Sequence, residues 1–378
     1  VLPIILQLKK DQPDIHLQIV YFDKEQYEIL RKNKFLNQIV KNVGKASLLK
    51  SFGNKGSIFR KLFLTIQLIP YIFKIITSKH VIFLQWKTID NLILRLFAMI
   101  ASFKGKAFTY QPMNNHYLEE MRRYFDDYGH PRTDRASKLR DRQFSKKVNT
   151  GDGALINSIH SLNYFATMGF SKFHIIGYTH LYPEYIKYAN DNYQSHLSEE
   201  TSLHEIESHT FYGIFVNKYW GRWSGRDDNW FINKFCEIVE CIREIKDDSY
   251  ILVRAHPTLK TDIINRAIKK SGQENIFVTY LHPTLIGIVS QAVIGIAEST
   301  SYHYVMGSGT PYIDYGGMQK ENYEIFPEGS LFASYGTIAA PNKNILMEKL
   351  LDKKLLNSSV LNYKPLIKHK MNLSVFKK

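Results

Sequence analysis

Between residues 211 and 351, short apolar runs alternate with longer amphipathic ones, and that alternation leaves few folds open. Residues 214–217, 250–254, 276–278, 292–297 and 311–314 are short, rich in Ile, Val and Tyr, and read as strands. Residues 228–244, 261–271, 284–291, 301–306 and 343–351 read as helices. A run such as Ala-Val-Ile-Gly-Ile-Ala, apolar along its whole length, suits a strand covered on both faces. Strand and helix in turn, joined by short connections, predict a parallel sheet between two layers of helices.

The first half follows the same pattern. Helices are predicted at 1–10, 24–32, 58–78 with a break near Pro70, 91–103 and 154–168, and strands at 15–22, 81–85, 107–110 and 172–176. An α/β domain that opens on a helix is expected to have a further strand upstream. With 378 residues the chain is long enough for two domains. The expected division is a domain at 1–178, a linker at 179–210 marked by Pro183 and clustered Ser, Glu and His, a domain at 211–355, and a tail at 356–378. Two doubly wound domains so joined are expected to turn the carboxyl ends of their strands toward a shared cleft, where ligands of such sheets bind.

Composition narrows the function. Hydrophobic residues at 44% and charged ones at 22% describe a globular chain. The longest apolar stretch, 62–76, is interrupted by Pro70 and Lys74 and falls short of the roughly 18 residues a spanning helix requires. Residues 1–20 lack a small-residue cleavage site, so a cytoplasmic or peripheral protein is expected. Cys236 and Cys241 form neither a redox pair nor a zinc spacing, which fits a reducing compartment. The net charge of +15 suits an anionic partner, but charge alone does not choose one. No zinc spacing, RNA-binding signature or basic helix-turn-helix supports nucleic acid. An anionic membrane or a nucleotide-linked, phosphate-rich substrate remains. Residues 60–74 join basic residues to a broken apolar run and are expected either to lie in a membrane interface or to form core-facing helices.

Two segments carry the chemistry. In 292–314 a buried strand runs into Glu298-Ser299-Thr300-Ser301, a short helix, Gly307-Ser308-Gly309-Thr310-Pro311 and another strand. Ser and Thr at a helix start satisfy free N–H groups, and the same N-terminus attracts phosphate. Arg254-Ala255-His256-Pro257 follows a strand directly, which places a guanidinium and an imidazole at its carboxyl end. His282-Pro283-Thr284-Leu285 echoes His256-Pro257-Thr258-Leu259 and reads as a helix start.

The second half resembles the nucleotide-binding domain of GT-B glycosyltransferases from capsule and surface-polysaccharide synthesis. Arg254–Pro257 is similar to their Arg-x-His-Pro element, and Ser299–Ser301 through Pro311 to their Ser/Thr loop and Gly-x-Pro turn. The pairing is shared with families that use cytidine nucleotides: polysialyltransferases, Kdo transferases and CDP-glycerol glycerophosphotransferases. The resemblance is specific over 254–314 and a matter of layout elsewhere. It implies two Rossmann-like domains and a transferase that takes a nucleotide-activated sugar to a glycan or lipid-linked acceptor. Arg254, His256, Pro257, Ser299, Thr300 and Ser301 would hold the nucleotide. Where many such enzymes place a ribose-binding carboxylate, seven residues before the proline, this chain has Tyr304, and Glu298 is the substitute candidate.

The catalytic base is expected from the first domain, as an acid or histidine near the acceptor hydroxyl. His116, after a predicted strand, and Asp152, between two glycines, are the chosen candidates among His116, Glu119, Glu120, Asp126, Asp127 and Asp152. Gly53-Asn54-Lys55-Gly56 reads as a phosphate loop or a plain turn. No Asp-x-Asp ends a strand, so neither metal nor other cofactor is expected. The rival readings are a glycerophosphate transferase, a UDP-sugar epimerase of the same fold and a catalytically inactive scaffold.

Overall fold

The computed structural model describes residues 1–21, 24–48, 58–84, 97, 99–103, 107–110, 153–157, 172–217, 226–256, 259, 261–296, 299–316, 327–330, 332–363, 365 and 370–376. They fall into two compact units. One comprises Val1–Glu28, Val43–Thr179 and Lys370–Lys378, the other Ile29–Asn42 and His180–His369.

The first unit opens on α1 (Leu2–Asp11), which carries Pro3 in its first turn and buries Ile4, Ile5 and Leu8. β1 (Leu17–Tyr21) follows. The chain then passes through α2 (Lys24–Lys32) and α3 (Lys34–Val43), whose central residues group with the second unit. β2 (Gly44–Leu48) pairs in parallel with β1. α4 (Ile58–Thr77) is continuous through Pro70, so the expected break is absent. The proline removes the bond to the Ile66 carbonyl, but Ile66 and Pro70 both face solvent, where water replaces it. Leu68, with Tyr71, Ile72 and Ile75 partly buried around it, packs with Phe83, Phe97 and Ala107.

A parallel sheet follows in the order β3 (Val81–Leu84), β4 (Ala107–Tyr110), β5 (Gly153–Ile156) and β6 (Phe173–Ile175). β5 corrects the helix predicted from residue 154. Its four residues are all buried between β4 and β6. So short an apolar run fits either period, and only pairing on both edges decides.

In the second unit, α5 (Pro183–Thr201) occupies most of the stretch expected as a linker. Its polar composition hides five buried positions, among them Tyr185, against which Phe35 of α3 packs edge-on at 6.0 Å. Next come β7 (Phe211–Val216), α6 (Asp228–Ile245), β8 (Tyr250–Ala255), α7 (Asp262–Ser271) and β9 (Ile276–Thr279). They are followed by α8 (Pro283–Val289), β10 (Ser290–Ile296), α9 (Tyr302–Gly307), β11 (Tyr312–Tyr315) and β12 (Ile338–Ala340). α10 (Lys343–Leu351) and α11 (Lys353–Leu361) end the series. The expected tail thus holds a helix and the buried Tyr363, while Lys370–Lys378 groups with the first unit.

The six strands are all parallel, in the order β12-β11-β10-β7-β8-β9. Alternate residues, Ile214, Ile251, Val253, Ile294 and Ile313 among them, pack against Phe235, Ile238 and Ile242 of α6, Ile264 of α7 and Leu346 of α10. α6 starts on the Asp227 carboxylate, which accepts from the Trp230 N–H at 2.8 Å. From β7 the chain builds outward to β9, then crosses to β10 beside β7 and builds outward the other way. The reversal opens a crevice at the carboxyl ends of β7 and β10, the place where such sheets take ligands.

Candidate functional site

Arg254 is the next-to-last residue of β8. Because Val253 and Ala255 face the α6 core, Arg254 must face the opposite side. There its guanidinium lies 5.8 Å from the ring centroid of Phe215 on β7, and Nε donates to the Leu281 carbonyl at 2.9 Å. No carboxylate pairs with it among the described residues. Burial lowers its pKa to about 10, opposed by the phenol of Tyr304.

Among the described residues, uncharged groups flank this cation. His282 caps α8: its Nδ1 accepts from the Thr284 N–H at 3.3 Å and lies 3.1 Å from the Tyr185 hydroxyl. An amide N–H can only donate, so Nδ1 is the acceptor and Nε2 carries the proton. Burial, then the Arg254 charge, pushes the His282 pKa down to about 3, so the imidazole is neutral at physiological pH. Tyr304 of α9 meets that ring edge-on at 4.8 Å. Burial raises its phenol, with Arg254 opposing. Among the described residues a phenol, a neutral imidazole and a carbonyl wall this guanidinium, and no negative charge compensates it.

On the other side of β7, residues 299–301 follow β10. Ser299 Oγ accepts from the Ser301 N–H at 3.3 Å, and the Ser299 carbonyl accepts from the Tyr302 N–H at 3.3 Å. Ser301 occupies the cap position of α9, but its side chain caps nothing, contrary to the sequence expectation. Its backbone is already helical, at φ −66° and ψ −15°, and a cap hydroxyl reaches the N–H groups ahead of it only from extended backbone. The Thr300 and Ser301 hydroxyls and the N–H groups of Ser299 and Thr300 have no hydrogen-bond partner among the described residues. The strands that lead to this cluster and to Arg254, β10 and β8, stand two strand spacings, about 10 Å, apart across β7.

The remaining expected residues divide. His256 shapes the turn after β8: its N–H donates to the Val216 carbonyl at 2.9 Å and its carbonyl accepts from Leu259 at 2.8 Å. His116, Asp152, Pro257 and Glu298 lie outside the described residues, as do residues 53–56. The Gly307–Pro311 turn belongs to the opposite edge. Gly309, at φ +91°, ends α9, Thr310 Oγ1 donates to the Gly287 carbonyl at 2.5 Å, and Pro311 leads into the amino end of β11. It positions α9, which runs from the carboxyl edge of the sheet to the amino edge.

Three groups at this side of the sheet were not singled out as site residues from sequence: His282, Tyr304 and Asp314. His282 is the helix start that its sequence predicts, and the signal for Tyr304 is its place where a carboxylate is usual. Asp314 on β11 is buried. Its Oδ2 accepts from Ser330 Oγ and from Thr337 Oγ1 at 3.3 Å, while Oδ1 has no partner among the described residues. Burial holds its pKa up at about 6 against those two bonds. Among the described residues no cluster of His, Cys, Asp and Glu is placed to hold a metal ion.

No family model and no curated protein sequence matches the chain. Solved structures do match in fold. UDP-GlcNAc 2-epimerase from Neisseria meningitidis bound to UDP-GlcNAc aligns with a TM-score of 0.58 at 10% identity, over 96% of this chain and 91% of that one. Arabidopsis thaliana UGT89C1 complexed with UDP aligns with a TM-score of 0.55 at 10% identity, over 100% and 94%. S. aureus MnaA with UDP gives 0.52 at 11%, over 96% and 94%. With two parallel, helix-covered units and full-length alignment to these enzymes, the chain has the GT-B fold, built from two Rossmann-like units.

Proposed function

We propose that this protein is a glycosyltransferase that moves a sugar from a nucleotide-activated donor to a growing surface glycan, with the nucleotide held by the second unit. Arg254 carries the reading: a half-buried cation without a carboxylate partner among the described residues, at the carboxyl edge of a doubly wound sheet. A donor phosphate supplies the missing charge, and the hydroxyl and N–H groups of residues 299–301 supply hydrogen bonds. Structures of the same fold that hold UDP or a UDP-sugar support a nucleotide-linked ligand. The His-Pro and Ser/Thr-loop resemblance supports a cytidine nucleotide. A lipid-linked acceptor would bring the enzyme to the inner face of the cell membrane.

In the reaction, an acceptor hydroxyl oxygen bonds to the anomeric carbon as the bond to the donor phosphate breaks. The phosphate leaves with the electron pair, and the hydroxyl proton passes to a base that we assign to His116 or Asp152. Arg254 balances the departing charge, which makes a divalent ion dispensable. Turnover is therefore expected to persist in EDTA. Activity lost in EDTA and restored by magnesium or manganese would refute this.

A thermal-shift panel of CMP, CDP, UDP, GDP and ADP tests the nucleotide site. A ligand at a hundred times its Kd stabilises the native state by about 2.7 kcal/mol, a rise of several degrees. No shift with any of the five would end the proposal. In the same assay Thr300→Val with Ser301→Ala should bind the preferred nucleotide about tenfold more weakly while its ligand-free melting temperature stays unchanged, since neither hydroxyl has a partner to lose among the described residues.

A second reading has its own support, because one of the solved structures of this fold is a UDP-GlcNAc 2-epimerase. An epimerase would use the same nucleotide site without an acceptor. Nucleotide release that depends on added glycan acceptor favours the transferase. Interconversion of a UDP-sugar with no acceptor favours the epimerase.

A further inference from the structure

α4 presents two apolar faces. Leu68, Tyr71, Ile72 and Ile75 lie in or against the apolar cluster of the first unit. Ile66, Ile69, Phe73 and Ile76 recur at three- and four-residue spacing on another face and are between 37% and 63% exposed. A core-facing helix accounts for the first set only. Four large apolar side chains in one exposed row are a recognition surface rather than scattered exposure. A second exposed pair, Met99 (54%) and Phe103 (84%), stands at helical spacing on the segment whose Phe97 and Ala101 enter the same cluster.

The charge beside this row selects its partner. No Asp or Glu occurs between Glu28 and Asp90, whereas Lys and Arg recur throughout that stretch. Lys74 flanks the row, is exposed, and bonds to the neutral amide of Gln18 at 3.1 Å with no carboxylate beside it among the described residues. Lys79, two residues beyond α4, is exposed as well. An apolar stripe edged by cations that have no carboxylate partner among the described residues matches the interface of an anionic bilayer, which takes the side chains into its headgroup boundary and the lysines against its phosphates. A second copy of the chain is a poorer occupant, because two molecules of net charge +15 repel each other. No described helix is long and apolar enough to cross a membrane.

We infer that the Ile66-Ile69-Phe73-Ile76 face of α4 seats the protein on anionic lipid, lying in the interface without crossing it. This holds whether the enzyme is a transferase or an epimerase, and its test is independent of nucleotide binding. The test is flotation of the full chain with vesicles of phosphatidylglycerol and phosphatidylcholine, and with phosphatidylcholine alone. The protein is expected to float with the anionic vesicles at low salt and to be released by high salt. Ile69→Ser with Phe73→Ser should weaken partitioning by about tenfold or more. Lys74→Glu with Lys79→Glu should weaken it by a similar factor on anionic vesicles and leave the faint association with neutral ones unaltered. Both variants face solvent and should keep the melting temperature and the nucleotide-induced shift of the parent. A protein that does not float, or that floats equally well with Ser at 69 and 73, overturns the inference. So does a dimer by sedimentation that the two serines dissociate while vesicle binding stays absent.

Discussion

Arg254→Gln is expected to weaken binding of the preferred nucleotide by roughly ten- to a hundredfold, the loss of one or two charge-assisted hydrogen bonds worth about 1.5–3 kcal/mol. Glutamine keeps much of the apolar stem but cannot supply the positive charge that faces the Phe215 ring. The diagnostic feature is what happens without ligand. A cation that served the fold through an ion pair would cost stability when removed, because its partner would be left buried and charged. No carboxylate stands beside Arg254 among the described residues, and one bond, to the Leu281 carbonyl, is lost. Ligand-free stability should therefore change by no more than about 1 kcal/mol. Titration calorimetry and thermal melts on the same preparation give both numbers. A large fall in melting temperature with unchanged nucleotide affinity would assign Arg254 to the fold and remove it from the site. His282→Asn provides a contrast. It exchanges a buried neutral ring bonded to Thr284 and Tyr185, so its main cost should appear in stability.

Asp314→Asn should raise stability at neutral pH by on the order of 1–3 kcal/mol, and the gain should vanish in acid. Burial raises the Asp314 pKa from the usual 3.8 to about 6. Between those values the native state keeps a proton that the unfolded chain has released. Stability contributed by this group is thus fully present below about pH 4, falls as pH rises through 4–6, and is lost above 6. Asparagine does not titrate. Its oxygen can accept from Ser330 and Thr337 as Oδ2 does, while its amide occupies the place of Oδ1, which has no partner among the described residues. Melting temperatures of both proteins from pH 4 to pH 8 should diverge with rising pH, the variant higher. Parallel curves, or a variant less stable at pH 8, would show that the carboxylate is compensated in solution. A ligand cation or a bonded water would achieve that.

The second unit was legible because its strands are buried on both faces. A run such as residues 292–296 is apolar at every position and cannot belong to a surface helix. The caps at Asp227 and His282 are likewise local, since a side chain binds an N–H two or three residues on. The first unit was less legible. β5 spans four residues, too few to show a period, and its identity comes from the two strands beside it. α5 reads as a linker in sequence because most of its surface is polar, and its buried positions matter only once α3 and α8 are packed against it.

For the site, sequence placed Arg254 and residues 299–301 at strand ends, because a residue that follows a buried strand must emerge at the edge of the sheet. It could not show that Ser301 fails to cap its helix, or that the Gly307–Pro311 turn lies on the opposite edge, since both depend on backbone direction in space. Nor could it show that Arg254, Tyr304 and His282, from β8, α9 and α8, meet with no negative charge among them. The alternation of apolar runs is a one-dimensional property, and it determined the parallel sheets and the class of fold. Charge compensation depends on distance and on the exclusion of water, which exist only after packing. Tertiary structure therefore decided which polar groups are satisfied by the protein and which are left for a ligand.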